Sequence, residues 1–271
     1  MKLLSLFSAL LLSVLVSANA LADDIKMAVT TSFHNSGLAD VLLPAAKKDL
    51  NLDIYLLIVG TGQALKLGRQ GDVDAVLVHA RAAEEKFLAG GYATHRREIM
   101  YNDFVLIGPK NDPAGIAKAK SAIEAFTDIE KSKSIFVSRG DDSGTNKKEL
   151  LIWKKAGLDP KKFVGNWYRA SGSGMGATLN TGVGMNGYVF TDRASWLNFK
   201  NKGDMKLLYA GDPLLFNQYA FLPINSAKYP QVKSDLTKKL EDWLCSPKVQ
   251  KMIGEYEIAG QQLFTPNAKP K

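Results

Sequence analysis

The sequence predicts an α/β fold built as two lobes, and three observations carry that expectation. Short apolar runs alternate with amphipathic stretches over residues 25–91 and again over 121–209. That alternation is the signature of open sheets flanked by helices. A long apolar-rich stretch, 97–109, separates the two series and is long enough to leave one sheet and start another. Hydroxyl-rich turns close strands in both series, Thr30-Thr31-Ser32 in the first and Ser138-Arg139-Gly140-Asp141-Asp142-Ser143-Gly144-Thr145 in the second.

In the first series, residues 25–29 read as a strand. Residues 36–50 read as a helix capped by Ser36, with Leu38, Val41, Leu42 and Ala45 on one face. A strand at 53–59, a turn at Gly60-Thr61-Gly62 and a short helix at 63–70 follow. Then come a strand at 75–78 and a helix at 82–89 closed by Gly90-Gly91. In the second series, helices are expected at 121–130, 146–156, 174–180 and 194–199, and strands at 135–137, 187–190 and 206–209. Residues 218–223 return as a strand, and 229–245 and 247–256 are terminal helices. The expected division is 23–107 with 215–271 for one lobe and 108–214 for the other, joined by two crossover segments.

Residues 1–22 read as a secretory signal peptide. Lys2 supplies the basic start, 3–16 is apolar except for Ser5, Ser8 and Ser13, and Ala20-Leu21-Ala22 is a small-x-small cleavage site before Asp23-Asp24. The apolar part is short for a membrane span, and no cysteine follows it to carry a lipid. Export to the periplasm is therefore expected. Cys245 is the single cysteine, so no intramolecular disulfide forms; its amphipathic setting in 240–245 suits a buried thiol.

The formal charge is +8, and +8 less Lys2 leaves +7 after cleavage. The lysines are scattered along helix faces, without the basic stripe and interleaved aromatics of a nucleic-acid surface. An enzyme finds little support. There is no Gly-x-Ser-x-Gly elbow, and His34, His79 and His95 lack zinc spacing. Residues 140–147 echo a phosphate loop, but Thr-Asn-Lys stands where Gly-Lys-Ser/Thr is needed. No catalytic residue, metal or cofactor is expected.

Ligands in open α/β sheets sit at the carboxyl ends of strands. Thr30 to Ser32, Gly60 to Gly62 and His79-Ala80 all lie there, as does the turn after 135–137. A helix N-terminus with a fixed charge, two hydroxyls and open backbone N–H groups is a ready anion site. Two such turns suggest two lobes gripping one small anion.

The chain resembles the periplasmic tungstate-binding proteins, the substrate-binding subunits of tungstate ABC transporters. The similarity rests on Thr30-Thr31-Ser32, Ser36-Gly37-Leu38, Gly60-Thr61-Gly62-Gln63-Ala64-Leu65, Gly71-Asp72-Val73-Asp74, Val78-His79-Ala80, the 138–145 motif and Thr191-Asp192-Arg193. The Arg-x-x-x-Ser-Gly-Thr core is also similar to that of phosphate-binding proteins. The sequence departs from the family at Phe33-His34, at Arg81 and at 168–175. The resemblance implies a type II periplasmic fold that closes as a clamp on a bare oxyanion, a monomer, and an ABC permease of the inner membrane as partner.

Tungstate and molybdate are proton-free tetrahedral dianions near neutral pH, so a site needs donors, a cation and exclusion of water. Arg139 offers a forked, permanent cation. Thr30, Ser32, Ser143 and Thr145 offer hydroxyls, and Thr31, Thr61, Gly62, Gly144 and Thr145 offer backbone N–H groups. Phosphate keeps a proton and asks for a carboxylate acceptor; Asp141 and Asp142 are the candidates. Aspartates near a helix start more often cap it, which favours the metal oxyanion, with tungstate and molybdate not separated. A hydrolase is the remaining alternative. Arg169 is expected on the surface, and His34 behind the first layer of contacts.

Overall fold

A computed structural model describes residues 23–269. The signal-peptide reading of 1–22 lies outside the described residues. The first series comprises β1 (Asp23–Thr30), α1 (Thr31–Asn35), α2 (Leu38–Leu50), β2 (Leu52–Val59), α3 (Thr61–Gln70), β3 (Ala75–Val78) and α4 (Arg81–Ala89). β4 (Arg97–Pro109) follows, and then α5 (Ala122–Ser132), β5 (Phe136–Ser138), α6 (Gly144–Lys155), β6 (Tyr168–Ala170), α7 (Met175–Gly184), β7 (Tyr188–Asp192), α8 (Arg193–Asn198) and β8 (Met205–Tyr209). The chain ends with β9 (Phe216–Pro223), α9 (Ser234–Leu244), α10 (Pro247–Gly254) and the short strands β10 (Glu257–Ile258), β11 (Gln261–Gln262) and β12 (Thr265–Pro266).

The main strand order is β2-β1-β3-β9-β4-β7-β5-β6, with β8 and β12 pairing separately to β4. β1 runs parallel to β2 and β3, and β5 runs parallel to β6 and β7. β4 joins the two groups. Its residues from Arg97 to Asp103 pair with β9, and those from Phe104 to Pro109 pair with β7 and β8. One strand thus serves two sheets, changing partners between Asp103 and Phe104. Arg193 holds that point, donating to both carboxylate oxygens of Asp103 at 2.7 and 2.6 Å.

Parallel strands are covered on both faces, so their residues are apolar almost throughout. Around β1, one face packs Ile25, Met27 and Val29 under α2, α9 and α10, and the other packs Ala28, Val76 and Val78 under α3 and α4. Around β5 and β7, Phe104, Phe126, Phe136 and Trp153 fill one face, and Val137, Leu179, Val189 and Trp196 the other. Each sheet therefore has its own pair of cores.

Three local expectations change. The helix expected over 36–50 begins at Leu38, and an unexpected short helix, α1, precedes it. Thr30 caps α1, accepting from Phe33 N–H, and Ser36 ends α1, its Oγ donating to Phe33 O at 2.6 Å. Gly37, at φ 79°, makes the turn into α2. The helix expected from 229 begins at Ser234, because the residue before Pro230 is biased away from helical geometry. β6 was not expected, since its Arg169 and Ala170 are exposed and carry no apolar pattern.

Candidate functional site

The turn after β5 is held from below by a buried carboxylate. Glu149 of α6 accepts from Ser138 Oγ at 2.5 Å, Trp153 Nε1 at 3.0 Å and the Tyr168 hydroxyl at 2.8 Å. Burial raises its pKa, and those donors oppose the rise. The loop after β6 braces the same turn, with Ser171 N–H and Gly172 N–H donating to Ser138 O and Arg139 O at 2.9 and 2.8 Å. Gly140 needs to be glycine here. Its φ is +60°, and a Cβ would lie 2.7 Å from that of Ala170.

Arg139 is 3% exposed and donates through one terminal nitrogen to Asp141 Oδ2 at 2.5 Å. Its Nε has no hydrogen-bond partner. Asp141 Oδ1 accepts from Ser143 N–H at 3.2 Å, so this carboxylate caps the turn and orients the guanidinium together. Asp142 is 73% exposed, pairs with Lys147 and lays its Oδ2 against Gly62. Ser143 caps α6, its Oγ accepting from Asn146 N–H at 3.1 Å. That leaves its own hydroxyl proton to donate. Thr145 Oγ1 is buried without a partner.

The other wall comes from the first lobe. Thr30 Oγ1 accepts from Phe33 N–H at 3.2 Å and lies 3.1 Å from Ser32 Oγ. Thr31 Oγ1 and Thr61 Oγ1 are buried without partners. Ser32 differs from the expectation in one respect. Its Oγ accepts from the Tyr219 hydroxyl at 3.3 Å and contacts His79 Nε2 at 2.9 Å as well as Thr30. With three contacts the hydroxyl is fully engaged within the chain, and its backbone N–H, in the first turn of α1, is what remains available.

The two walls touch. A Cβ on Gly60 would lie 3.8 Å from Asp141 O and from Ser143 Cα, and one on Gly144 would lie 3.1 Å from Thr61 Oγ1. A Cβ on Gly174, the cap of α7, would lie 3.9 Å from Thr31 Cγ2. Gly62 sits in the first turn of α3 with the Asp142 carboxylate laid directly against it, where a Cβ would clash with Asp142 Oδ2. The fold therefore gathers Thr30, Thr31, Ser32, Thr61 and Gly62 from one lobe against Arg139, Ser143, Gly144 and Thr145 from the other.

Buried polar atoms are normally paired, because an unpaired one costs about 1–3 kcal/mol. Among the described residues, Thr31, Thr61 and Thr145 Oγ1 and Arg139 Nε are buried and unpaired, and all four belong to the expected set. The same condition extends to His79 Nδ1, Asp192 Oδ2, Ser195 Oγ, Asn102 Nδ2 and Asn217 Oδ1. His79 packs at a tilt on Tyr219, ring centroids 4.6 Å apart, and burial with the nearby Arg139 charge lowers its pKa to about 3, so it is neutral. His79, Tyr219 and Asp192 lie beside the expected residues without having been named among them. The position of His79 and Asp192 at strand ends was the signal available for them. The Gly172-Ser173-Gly174 turn follows β6 and opens α7 toward Thr31. His34 and Arg169 are exposed.

A cavity of about 600 Å³ opens beside His79 and Gly144, running past Lys147, Lys148 and Phe216. Among the described residues there is no cluster of His, Cys, Asp and Glu arranged for a metal ion, and no helix long and apolar enough to cross a membrane.

Comparison with known proteins gives concordant results. Residues 16–248 match the description of a PBP superfamily domain. The tungstate-binding protein TupA of Peptoclostridium acidaminophilum is 42% identical over 248 residues, which is 90% of this chain and 86% of that protein. The crystal structure of the tungstate ABC transporter from Geobacter sulfurreducens shares 49% identity at a TM-score of 0.79, over 86% of this chain and 98% of that one. The tungstate-binding protein TupA from Desulfovibrio alaskensis G20 shares 44% identity at a TM-score of 0.78, over 92% of this chain and 100% of that one.

Proposed function

Since the chain belongs to the PBP superfamily and, within it, to the family of tungstate-binding proteins, we propose that it captures tungstate between its two lobes for uptake by an ABC transporter. The fold is that of type II periplasmic binding proteins, and the family consists of substrate-binding proteins rather than enzymes. The observation that carries the ligand reading is the set of buried, unpaired donors shared between lobes, Thr31 and Thr61 on one side and Arg139 and Thr145 on the other. A proton-free tetrahedral dianion accepts from every direction and answers all four.

The two aspartates of the central motif support the same choice. Asp142 pairs through Oδ1 with Lys147 and rests Oδ2 against Gly62, and Asp141 is engaged with Arg139 and Ser143 N–H. Neither offers the free carboxylate that monohydrogen phosphate requires. Molybdate, of the same charge and shape, is the natural competitor. The nine residues Thr30, Thr31, Ser32, Thr61, Gly62, Arg139, Ser143, Gly144 and Thr145 form the shell, Ser32 through its backbone. The lobes act as the jaws, divided at 103/104 where β4 changes partners, four residues before the expected 107/108, and at 215/216 where β9 begins. The protein works as a monomer in the periplasm, and its closed form docks on a membrane permease. Closure follows because the ligand contacts both jaws only when they meet.

Isothermal titration of the protein with tungstate, molybdate, sulfate and phosphate at one ionic strength tests this reading. One-to-one binding of tungstate with sulfate and phosphate silent is expected. Phosphate binding with tungstate silent would overturn it.

A further inference from the structure

Asp192 ends β7 beside the point where β5 delivers Arg139. The two strands run parallel with Val137 opposite Val189, so they leave the sheet as neighbours. Asp192 is fully buried. Its Oδ1 accepts from Ser195 N–H at 2.8 Å as the cap of α8, while its Oδ2 has no partner. Ser195 Oγ, next to it, is buried and unpaired as well.

The charges around Asp192 are already committed. Arg139 pairs with Asp141, and Arg193 is held by Asp103. The titratable groups that face Asp192 from other elements are Arg139, in the turn after β5, and Tyr219 of β9, with His79 packed against Tyr219. Tyr219 and His79 are both neutral: burial raises the phenol and lowers the imidazole. An ionised Asp192 would set a second carboxylate, beside Asp141, against the one guanidinium. A buried dianion brought into that arrangement meets repulsion that little solvent screens.

We infer that Asp192 is protonated whenever the site holds a tetrahedral dianion, that its O–H then serves as a donor to the anion, and that binding takes up one proton. The inference rests on the oxyanion reading given above. Protonation removes the surplus negative charge and turns an unpaired acceptor into the kind of group the ligand needs. The free protein is poised for this step, because burial, opposed by the Ser195 N–H bond and the Arg139 charge, raises the Asp192 pKa to about 6. Bringing in the anion raises it further.

Titration with sodium tungstate in two buffers of different ionisation enthalpy, from about pH 6.5 to about pH 8.5, counts the proton. The expected result is uptake of about one proton per anion, with Kd rising about tenfold per pH unit over the range where uptake is complete. Asp192→Asn keeps a side-chain oxygen to cap α8 and presents an amide N–H in place of the O–H. This variant is expected to bind tungstate with a Kd that is flat in pH and without buffer dependence. Wild-type binding with no proton uptake and a flat Kd would overturn the inference and leave the oxyanion reading standing. So would an Asp192→Asn variant that keeps the wild-type slope. Failure of the wild type to bind tungstate at any pH would instead remove the oxyanion reading itself.

Discussion

His79 and Gly144 meet across the cleft. A Cβ on Gly144 would lie 2.7 Å from His79 Cε1 and 2.8 Å from His79 Nδ1, nearer than real Cβ contacts come. One residue follows β3 in the first lobe and the other opens α6 in the second, so the closed arrangement depends on position 144 having no side chain.

Gly144→Ala is therefore expected to hold the jaws apart. The backbone at 144 is helical, where alanine is favoured over glycine, so the second lobe itself should not suffer. Tungstate affinity should fall at least about tenfold, or more than about 1.4 kcal/mol. Small-angle scattering at saturating tungstate should show a larger radius of gyration than for the wild type. An unchanged affinity would mean that the imidazole moves aside.

Thr61→Val and Thr145→Val replace unpaired buried hydroxyls with methyl groups of the same shape. Each should leave the thermal stability of the ligand-free protein unchanged or raise it, because no intramolecular hydrogen bond is lost. Each should weaken tungstate binding by about 1.5–3 kcal/mol, the range for a hydrogen bond to a charged group. A lower melting temperature with affinity intact would assign the hydroxyls to the fold instead.

Arg139→Ala removes the one cation in the shell. Its loss should cost about 3 kcal/mol or more of tungstate affinity, as breaking a buried charge pair does. Arg139→Lys restores the charge but not the fork that reaches Asp141 and the ligand together, so it should recover only part of the loss. Calorimetric titration of both variants against the wild type measures this. Near-wild-type binding by the alanine variant would displace the site from Arg139.

His79 couples stability to pH. Its folded pKa is lowered to about 3 from the ordinary 6.5, by burial first and the Arg139 charge second. A depressed value favours the fold above pH 6.5, and that contribution is lost as pH falls toward 3, by up to about 1.4 kcal/mol per pH unit. His79→Gln should therefore lose melting temperature less steeply than the wild type between about pH 6.5 and about pH 4. Parallel curves would show that the imidazole is not buried neutral.

The part of the site written in one stretch of chain was legible. A strand, a charged turn and the Ser143 cap announce one another locally, and the hydroxyl turns at 30–32 and 60–62 follow strands. What stayed hidden depends on distant residues. That Ser32 is engaged follows from Tyr219, 187 residues away, whose hydroxyl no local pattern directs toward it. Asp192 reads as one more helix cap until Arg139 is seen beside it. α1 is built from Thr-Ser-Phe-His-Asn, mostly poor helix formers, and the Thr30 cap, the buried Phe33 and the hydrogen bonds of Ser32 and Ser36 hold it. The α/β alternation was legible because buried parallel strands must be apolar on both faces, whereas β6, exposed over most of its length, carried no such mark.

The placing of β9 has a consequence for the order in which the molecule can be made. β9 lies between β3 and β4, so the first sheet stays split until residues 216–223 have been synthesised. By then all of 108–214 has already been translated. The second sheet has no such wait, since β4 to β8 are contiguous in the chain. The lobe that begins the polypeptide is thus the later one to close. Until it does, β3 and the first half of β4 each present an unpaired edge of the kind that invites aggregation.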